Sequence, residues 1–185
     1  MNTVNTTLPL QPLVSGQLLC LSETGQAGLI LQHRHYASFA GAGAAVGGCI
    51  DIACVSVYAV GNVHFIVPET YQQRQQAYQQ RLGYVKTLCR ISSVNVPLQR
   101  AYLIVRQLCL WLNPKDAIAI PHELISQLVG VLPKSIDLGW QQYLQHHGSK
   151  DPRLVSSRHS TGSSGSYYQT LNRGSAQIPV TVLHL

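Results

Sequence analysis

The sequence predicts an α+β fold in which a small antiparallel sheet precedes a helical part. Two patterns support this prediction. Up to residue 67, short runs rich in β-branched and other apolar residues alternate with glycine-containing turns, which is typical of strands. From residue 68 to residue 148, apolar residues recur instead at helical spacing, which is typical of amphipathic helices.

The composition changes again after residue 148, where serine and glycine dominate, as in a flexible tail. We therefore expect four segments. Residues 1–16 form a flexible leader, and residues 17–92 form a small sheet with a long amphipathic helix. Residues 93–148 form a part built of three helices. Residues 149–185 form a Ser/Gly-rich tail with a terminal strand at 178–184.

Five stretches make up the predicted sheet region. Residues 17–22 and 28–36 flank a polar, glycine-containing turn, so we expect them to form a hairpin. The small residues of 38–48 include too many glycines for a stable solvent-exposed helix or strand, and we expect a loop or a closely packed segment there. Residues 49–59 are rich in β-branched side chains and predict a buried strand, and a further strand is expected at 62–67.

The clearest helix of the sequence spans residues 68–90. Its apolar stripe predicts a buried face made of Tyr71, Tyr78, Leu82, Val85 and Cys89. The motif YQQR recurs one heptad apart, which puts Arg74 and Arg81 on one face. The glutamine-rich surface of this helix suits contact with either a phosphate backbone or a partner subunit. A homo-oligomer is therefore one of the expected assemblies.

Residues 121–147 predict a short helix, a tight turn and a second helix. Pro121 suits a first helical turn, and Gly130 suits a left-handed C-terminal position. Pro133 favours a new helix start, and the second helix buries Ile136, Trp140, Tyr143 and Leu144. A further apolar helix at 98–112 precedes this pair, and residues 116–120 predict an extended connection.

This pair resembles the helix-turn-helix of DNA-binding proteins over residues 121–147. The features that carry the resemblance are Gly130-Val131, Leu132-Pro133, Ile136 and Trp140. It departs from the usual pattern because Leu132 replaces a small polar cap and because Ile136 and Trp140 are one residue further apart than expected. Gly139 also weakens the second helix by about 1 kcal/mol relative to alanine.

The resemblance implies that the second helix enters the major groove of DNA. Its exposed candidates for base contacts are Lys134, Ser135, Leu138, Gln141 and Gln142. Glutamine can pair with adenine, and lysine can reach guanine or phosphate. An ordinary αα-hairpin that never touches DNA is the alternative interpretation of the same pattern.

Charge adds an independent indication. The net charge is +6, although only 11% of the residues are charged. Between residues 72 and 115 the chain carries basic residues and no acidic ones, which favours either a solvated helix face or contact with phosphates. The expected phosphate-binding residues are Arg74, Arg81, Arg100 and Arg106.

The five cysteines, at positions 20, 49, 54, 89 and 109, include no CxxC pair. They predict reduced thiols and a cytoplasmic location rather than a disulfide framework or a zinc site. Residues 1–16 lack the features of a secretory signal. A membrane span within 37–67 is disfavoured by its glycines and by Asp51, so no membrane partner is expected.

The leading hypothesis is a non-enzymatic nucleic-acid-binding protein, with DNA favoured over RNA, acting as a regulator or accessory factor of a mobile element or virus. No catalytic residue, metal or cofactor is expected. One alternative is a protein–protein adaptor or structural assembly subunit. A second is a small metal-dependent enzyme using His33, His35 and Asp51, since His33 and His35 would share one face of a strand.

Overall fold

The computed structural model describes residue 13, residues 16–147 and the strand at residues 182–184. It confirms the α+β class. Within the described residues, seven strands form two antiparallel sheets, and five helices follow the sixth strand. The elements are β1 (Leu18–Leu21), β2 (Gly28–Gln32), β3 (Ala37–Gly41), β4 (Ala45–Gly47), β5 (Ser56–Val60), β6 (Phe65–Ile66), α1 (Tyr71–Ser92), α2 (Pro97–Trp111), α3 (Pro114–Ile118), α4 (His122–Val129), α5 (Pro133–His147) and β7 (Val182–His184).

Strand β2 lies between the two apolar cores of the protein. The sheets run β4-β1-β6 and β3-β2-β5-β7. Because successive side chains of a strand point to opposite faces, Leu29 and Leu31 join the core between the sheets, while Ile30 faces the helices. Ile30 pairs with Phe39 and Tyr58, which join the same helical core.

Strand pairing differs from the predicted hairpin. β1 pairs with β4 and β6, whereas β2 pairs with β3 and β5. Residues 38–48, predicted as a loop or a closely packed segment, contribute most of β3 and all of β4, whose residues are all buried. Its small residues permit close packing, since a Cβ at Gly41 would lie 2.5 Å from the Tyr84 hydroxyl oxygen. Of the predicted strand at 49–59, only the part from Ser56 onward is extended.

Helix α1 forms as predicted but buries a different face. Thr70 and Gln73 form a capping box at its start. The buried residues are Ala77, Arg81, Leu88 and Ile91. The prediction that Tyr71, Tyr78, Leu82 and Cys89 are buried is wrong, because all four are exposed. The sheet packs against the side of α1 that carries the small residue Ala77 and the ion-paired Arg81.

An aromatic cluster joins the sheet to the helices. The Phe39 ring of β3 stacks on Trp111 of α2, with ring centroids 4.8 Å apart. Tyr84 of α1 meets both rings edge-on, at 5.5 Å from Phe39 and 5.0 Å from Trp111. Its hydroxyl donates a hydrogen bond to the Ala42 carbonyl oxygen at 3.2 Å. One residue from each of three elements therefore fixes how the two parts of the chain meet.

The described helical part contains four helices rather than the predicted three. Residues 114–118 form the short helix α3 within a stretch that was predicted to be partly extended. Pro114 occupies the first turn, and the Asn113 side chain accepts a hydrogen bond from the Lys115 N–H. None of the described helices combines the length and the apolar character needed to cross a membrane. The predicted leader and tail lie outside the described residues, apart from residues 13, 16 and 182–184.

Candidate nucleic-acid interface

Helices α4 and α5 are joined by the tight turn that the sequence predicts. Gly130 adopts the left-handed conformation, with φ 63° and ψ 51°. The N–H groups of Gly130 and Val131 both donate to the Ser126 carbonyl oxygen. Helix α5 begins after Leu132, whose side chain is 73% exposed and offers no oxygen to cap the helix. The turn therefore depends on glycine and on backbone hydrogen bonds.

The buried side of this helix pair is the predicted one. Helix α4 buries Leu124, Ile125, Leu128 and Val129. Ile136, Trp140 and Tyr143 of α5 are buried, and Leu144 is half-buried. Helix α2, which the sequence predicts at residues 98–112, packs against α5. Apolar burial on one side leaves the opposite side of α5 facing solvent.

Gly139 brings α2 and α5 unusually close together. An ideal Cβ at this position would lie 2.8 Å from the Ala101 carbonyl carbon and 2.9 Å from its oxygen. The glycine that weakens the isolated helix therefore permits the two backbones to cross in contact.

Arg100 of α2 stabilises the turn between α4 and α5. Its Nη1 donates to the carbonyl oxygens of Val129 and Gly130, at 3.2 and 3.3 Å. These carbonyls end α4 and carry the negative end of the helix dipole, which a guanidinium complements. One nitrogen of Arg100 is therefore occupied by the turn, and the expected phosphate contact of this residue stays a prediction.

Two polar contacts hold α4 from its other sides. Nδ1 of His122, at the start of α4, lies 2.5 Å from Oδ1 of Asp137 on α5. The Gln32 side-chain amide of β2 donates to the side-chain oxygen of Gln127 at 2.9 Å. Sequence reasoning missed both contacts, because no local pattern pairs residues that lie so far apart along the chain.

The solvent-facing side of α5 contains most of the predicted base-contacting residues. Lys134, Leu138 and Gln141 are exposed, while Ser135 and Gln142 are half-buried at the edge of this face. Gln145 is also exposed and extends the series at helical spacing. At 100° per residue, Lys134, Leu138, Gln141 and Gln145 fall within roughly 60° of one another. We call these four residues the α5 ridge. Gln145 was missed, although its spacing from Gln141 could have revealed it.

The predicted phosphate-binding arginines fall into different environments. Arg106 is exposed on α2. Arg74 is exposed too, but its Nε and Nη2 donate to the carbonyl oxygens of Pro68 and Glu69, at 3.2 and 2.8 Å. It therefore braces the start of α1 while remaining accessible to solvent.

Arg81 is buried and cannot bind phosphate, so that prediction is wrong. Its Nη2 donates to Asp51 Oδ1 at 3.1 Å and to Ser38 Oγ at 2.9 Å. Asp51 is 1% exposed, and its other oxygen accepts the Gly47 N–H at 2.9 Å. Burial lowers the pKa of Arg81, while the Asp51 carboxylate opposes that shift. The pair fastens α1 to the sheet and to the loop before β5.

The alternative metal site is not assembled. His33 and His35 lie in the turn between β2 and β3 rather than on a strand, and the His33 ring stacks on Tyr36 with centroids 4.4 Å apart. Asp51 is used by Arg81. In the part of the chain that the structure describes, no three histidine, cysteine, aspartate or glutamate residues are grouped as metal ligands.

The chain matches no known family model, no curated protein and no solved structure.

Proposed function

We propose that the protein binds nucleic acid, double-stranded DNA in preference to RNA, through the α5 ridge, and that it acts as a regulator or accessory factor without catalysing a reaction. The observation that carries this proposal is the ridge itself. It presents one cation, two amides and one apolar side chain on a helix whose other side is buried.

The chemistry of the ridge suits base edges in a major groove. Gln141 and Gln145 can each donate and accept at adenine, Lys134 can reach guanine or phosphate, and Leu138 offers apolar contact to a thymine methyl group. Asp137 is the acidic side chain of α5. Its carboxylate contacts the His122 ring and is 40% exposed, and it is not one of the four ridge residues.

Rigid support favours the same interpretation. The Gly139 contact with α2, the Arg100 bonds to the turn and the His122–Asp137 contact each fix α5 relative to its neighbours. A helix that reads bases needs this kind of support, because displacement by about 1 Å loses its contacts. The exposed Arg106 and Arg74 are the proposed phosphate contacts that remain.

We also propose a reducing, cytoplasmic setting. None of the five cysteines is in a disulfide, and Cys54 and Cys109 are buried. Such thiols persist where disulfides are not formed.

Fluorescence anisotropy of labelled duplex DNA, duplex RNA and single strands, at low and moderate salt, tests the proposal. Binding should weaken steeply as salt rises, and Arg106→Ala should reduce the salt slope by about one unit. Gln141→Ala should cost about 1–3 kcal/mol on a preferred duplex and lower sequence preference. The matched control is Gln26→Ala, at an exposed glutamine in the β1–β2 turn, which should bind like the unmodified protein.

Absence of binding to every duplex and strand at low salt would overturn the proposal. Equal losses from Gln141→Ala and Gln26→Ala would overturn the assignment of α5 as the binding helix.

A further inference from the structure

Helix α1 carries apolar residues on two different faces. The inner face packs against the sheet and α2 through residues that include Ala77, Leu88 and Ile91. The outer face contains five apolar residues, which are Tyr71, Tyr78, Leu82, Val85 and Cys89. Val85 is half-buried and the other four are exposed, so this face is open in the part of the chain that the structure describes. Apolar residues on both sides of a helix indicate two packing partners.

The five residues of the outer face form a narrow stripe, which we call the outer seam. At 100° per residue they fall within about 60° of one another, at intervals of three, four and seven residues. A helix that packs on a broad apolar surface has a stripe at least about 100° wide, whereas a narrower stripe is typical of the seam between two helices. Helix α1 has 22 residues and is thus about 33 Å long, so the outer seam follows nearly its whole length. The shape of the outer seam therefore favours a helix as its partner.

The charges beside the outer seam determine which kind of helix fits. Lys86 and Arg90 are exposed and lie one helical turn apart, and Lys86 is about 40° around the helix from Leu82. No residue of α1 is acidic. Where two helices pack lengthwise, the charges that flank the seam set the choice of partner. The partner helix therefore needs acidic residues beside its own apolar stripe.

The acidic residues of this chain do not supply such a helix. The seven are single residues spread along the sequence, at positions 23, 51, 69, 116, 123, 137 and 151. The two closest in sequence, Asp116 and Glu123, belong to α3 and α4, whose apolar sides are buried in the core. A second copy of α1 would set Lys86 and Arg90 against cations like themselves. The occupant is therefore a helix of another protein.

We propose that the outer seam binds an amphipathic helix of another protein, whose apolar stripe is flanked by aspartate or glutamate. The two helices pack lengthwise, and Lys86 and Arg90 meet acidic residues of the partner. No residue of the α5 ridge takes part, so the inference does not depend on nucleic-acid binding.

A synthetic peptide of about three heptads is the probe, with leucine at the seam positions and glutamate on both flanks. The labelled peptide is titrated with the full chain and followed by fluorescence anisotropy. We expect a dissociation constant on the order of 10 μM, because one helix pair lies below the roughly 1,200–2,000 Å² that stable interfaces bury. A peptide with lysine in place of each glutamate should bind at least about tenfold more weakly.

Charge reversal on the protein should reverse this preference. Lys86→Glu/Arg90→Glu should weaken binding of the glutamate peptide at least about tenfold and strengthen binding of the lysine peptide. The matched control is Arg34→Glu/Lys115→Glu, which makes the same change of charge at exposed residues of the β2–β3 turn and α3. Thermal unfolding checks that both variants remain folded.

An apolar substitution tests the seam itself. Leu82→Gln should weaken binding of the glutamate peptide severalfold without changing the charge of the protein. Leu110→Gln is its matched control, since Leu110 is 63% exposed on α2 and lies outside the outer seam. Gln141→Ala should leave peptide binding unchanged, so this proposal and the proposed nucleic-acid binding can fail separately.

Three results would overturn the proposal. The first is a glutamate peptide that does not bind at roughly 100 μM protein. The second is equal binding of the glutamate and lysine peptides, and the third is binding of the glutamate peptide that survives Lys86→Glu/Arg90→Glu.

An anionic membrane is the competing occupant, and vesicles test it. The full chain is sedimented with vesicles of about seven parts phosphatidylcholine to three parts phosphatidylserine. The proposal expects no vesicle binding that depends on the outer seam. Vesicle binding that Leu82→Gln abolishes would assign the outer seam to a membrane surface instead.

Discussion

Gly139 of α5 lies against the backbone of Ala101 in α2, with no room between them for a Cβ. Alanine is the better helix former by about 1 kcal/mol. An added methyl group would nevertheless sit 2.8 Å from a backbone carbon that cannot rotate away. We expect Gly139→Ala to destabilise the protein, because overpacking costs about 1–3 kcal/mol. Urea unfolding measures this as a lower midpoint.

Gly83 is the matched control for that substitution. It lies within α1, and a Cβ built there meets nothing within 4 Å. Gly83→Ala should therefore stabilise the protein by up to about 1 kcal/mol. If both alanine variants shift the midpoint in the same direction, the close crossing of α2 and α5 is not what requires glycine at 139.

The buried pair of Arg81 and Asp51 predicts a large stability effect without a binding effect. Arg81→Met leaves the Asp51 carboxylate buried beside an apolar side chain, and breaking such a pair costs about 3–5 kcal/mol. The double variant Arg81→Met/Asp51→Leu should recover much of that loss. Urea unfolding of the two single variants and the double variant measures the coupling. Losses that simply add would contradict a direct interaction.

Cys54 predicts a fall in stability at alkaline pH. Burial, followed by the nearby Asp51 carboxylate, raises the pKa of its thiol from 9.0 to about 11. The unfolded chain therefore loses this proton at a lower pH than the folded chain does. The stabilisation is complete below pH 9 and is lost as pH rises toward 11. Thermal unfolding between pH 8 and pH 11 should show a shallower decline for Cys54→Ala, and identical slopes would argue against this group.

Local chemistry made the helical part predictable. Pro121, Gly130 and Pro133 mark where α4 and α5 begin and end, and the apolar spacing of Ile136, Trp140 and Tyr143 identifies their buried side. Each signal acts within a few residues of the chain. Most of the α5 ridge was predictable for the same reason, because it lies on the side of α5 opposite the buried residues.

Contacts between distant residues were beyond the reach of the sequence. Two apolar stripes compete on α1, and only the assembled sheet determines which is buried. Whether Arg81 is buried or free to bind phosphate depends on Asp51, which lies 30 residues earlier in the sequence, in a loop that was predicted as a strand. The glycines of 38–48 disfavour a strand locally, but close packing against Tyr84 overrides that preference.

The aromatic cluster of Phe39, Tyr84 and Trp111 has a consequence for dissecting the protein. One apolar core runs from Ile30 in β2 to Trp140 in α5 without interruption. A fragment restricted to the helices would expose the Trp111 face that Phe39 of the sheet now covers. Helices α4 and α5 therefore do not form an independent module. A graft of this helix pair onto another scaffold would need to include the sheet.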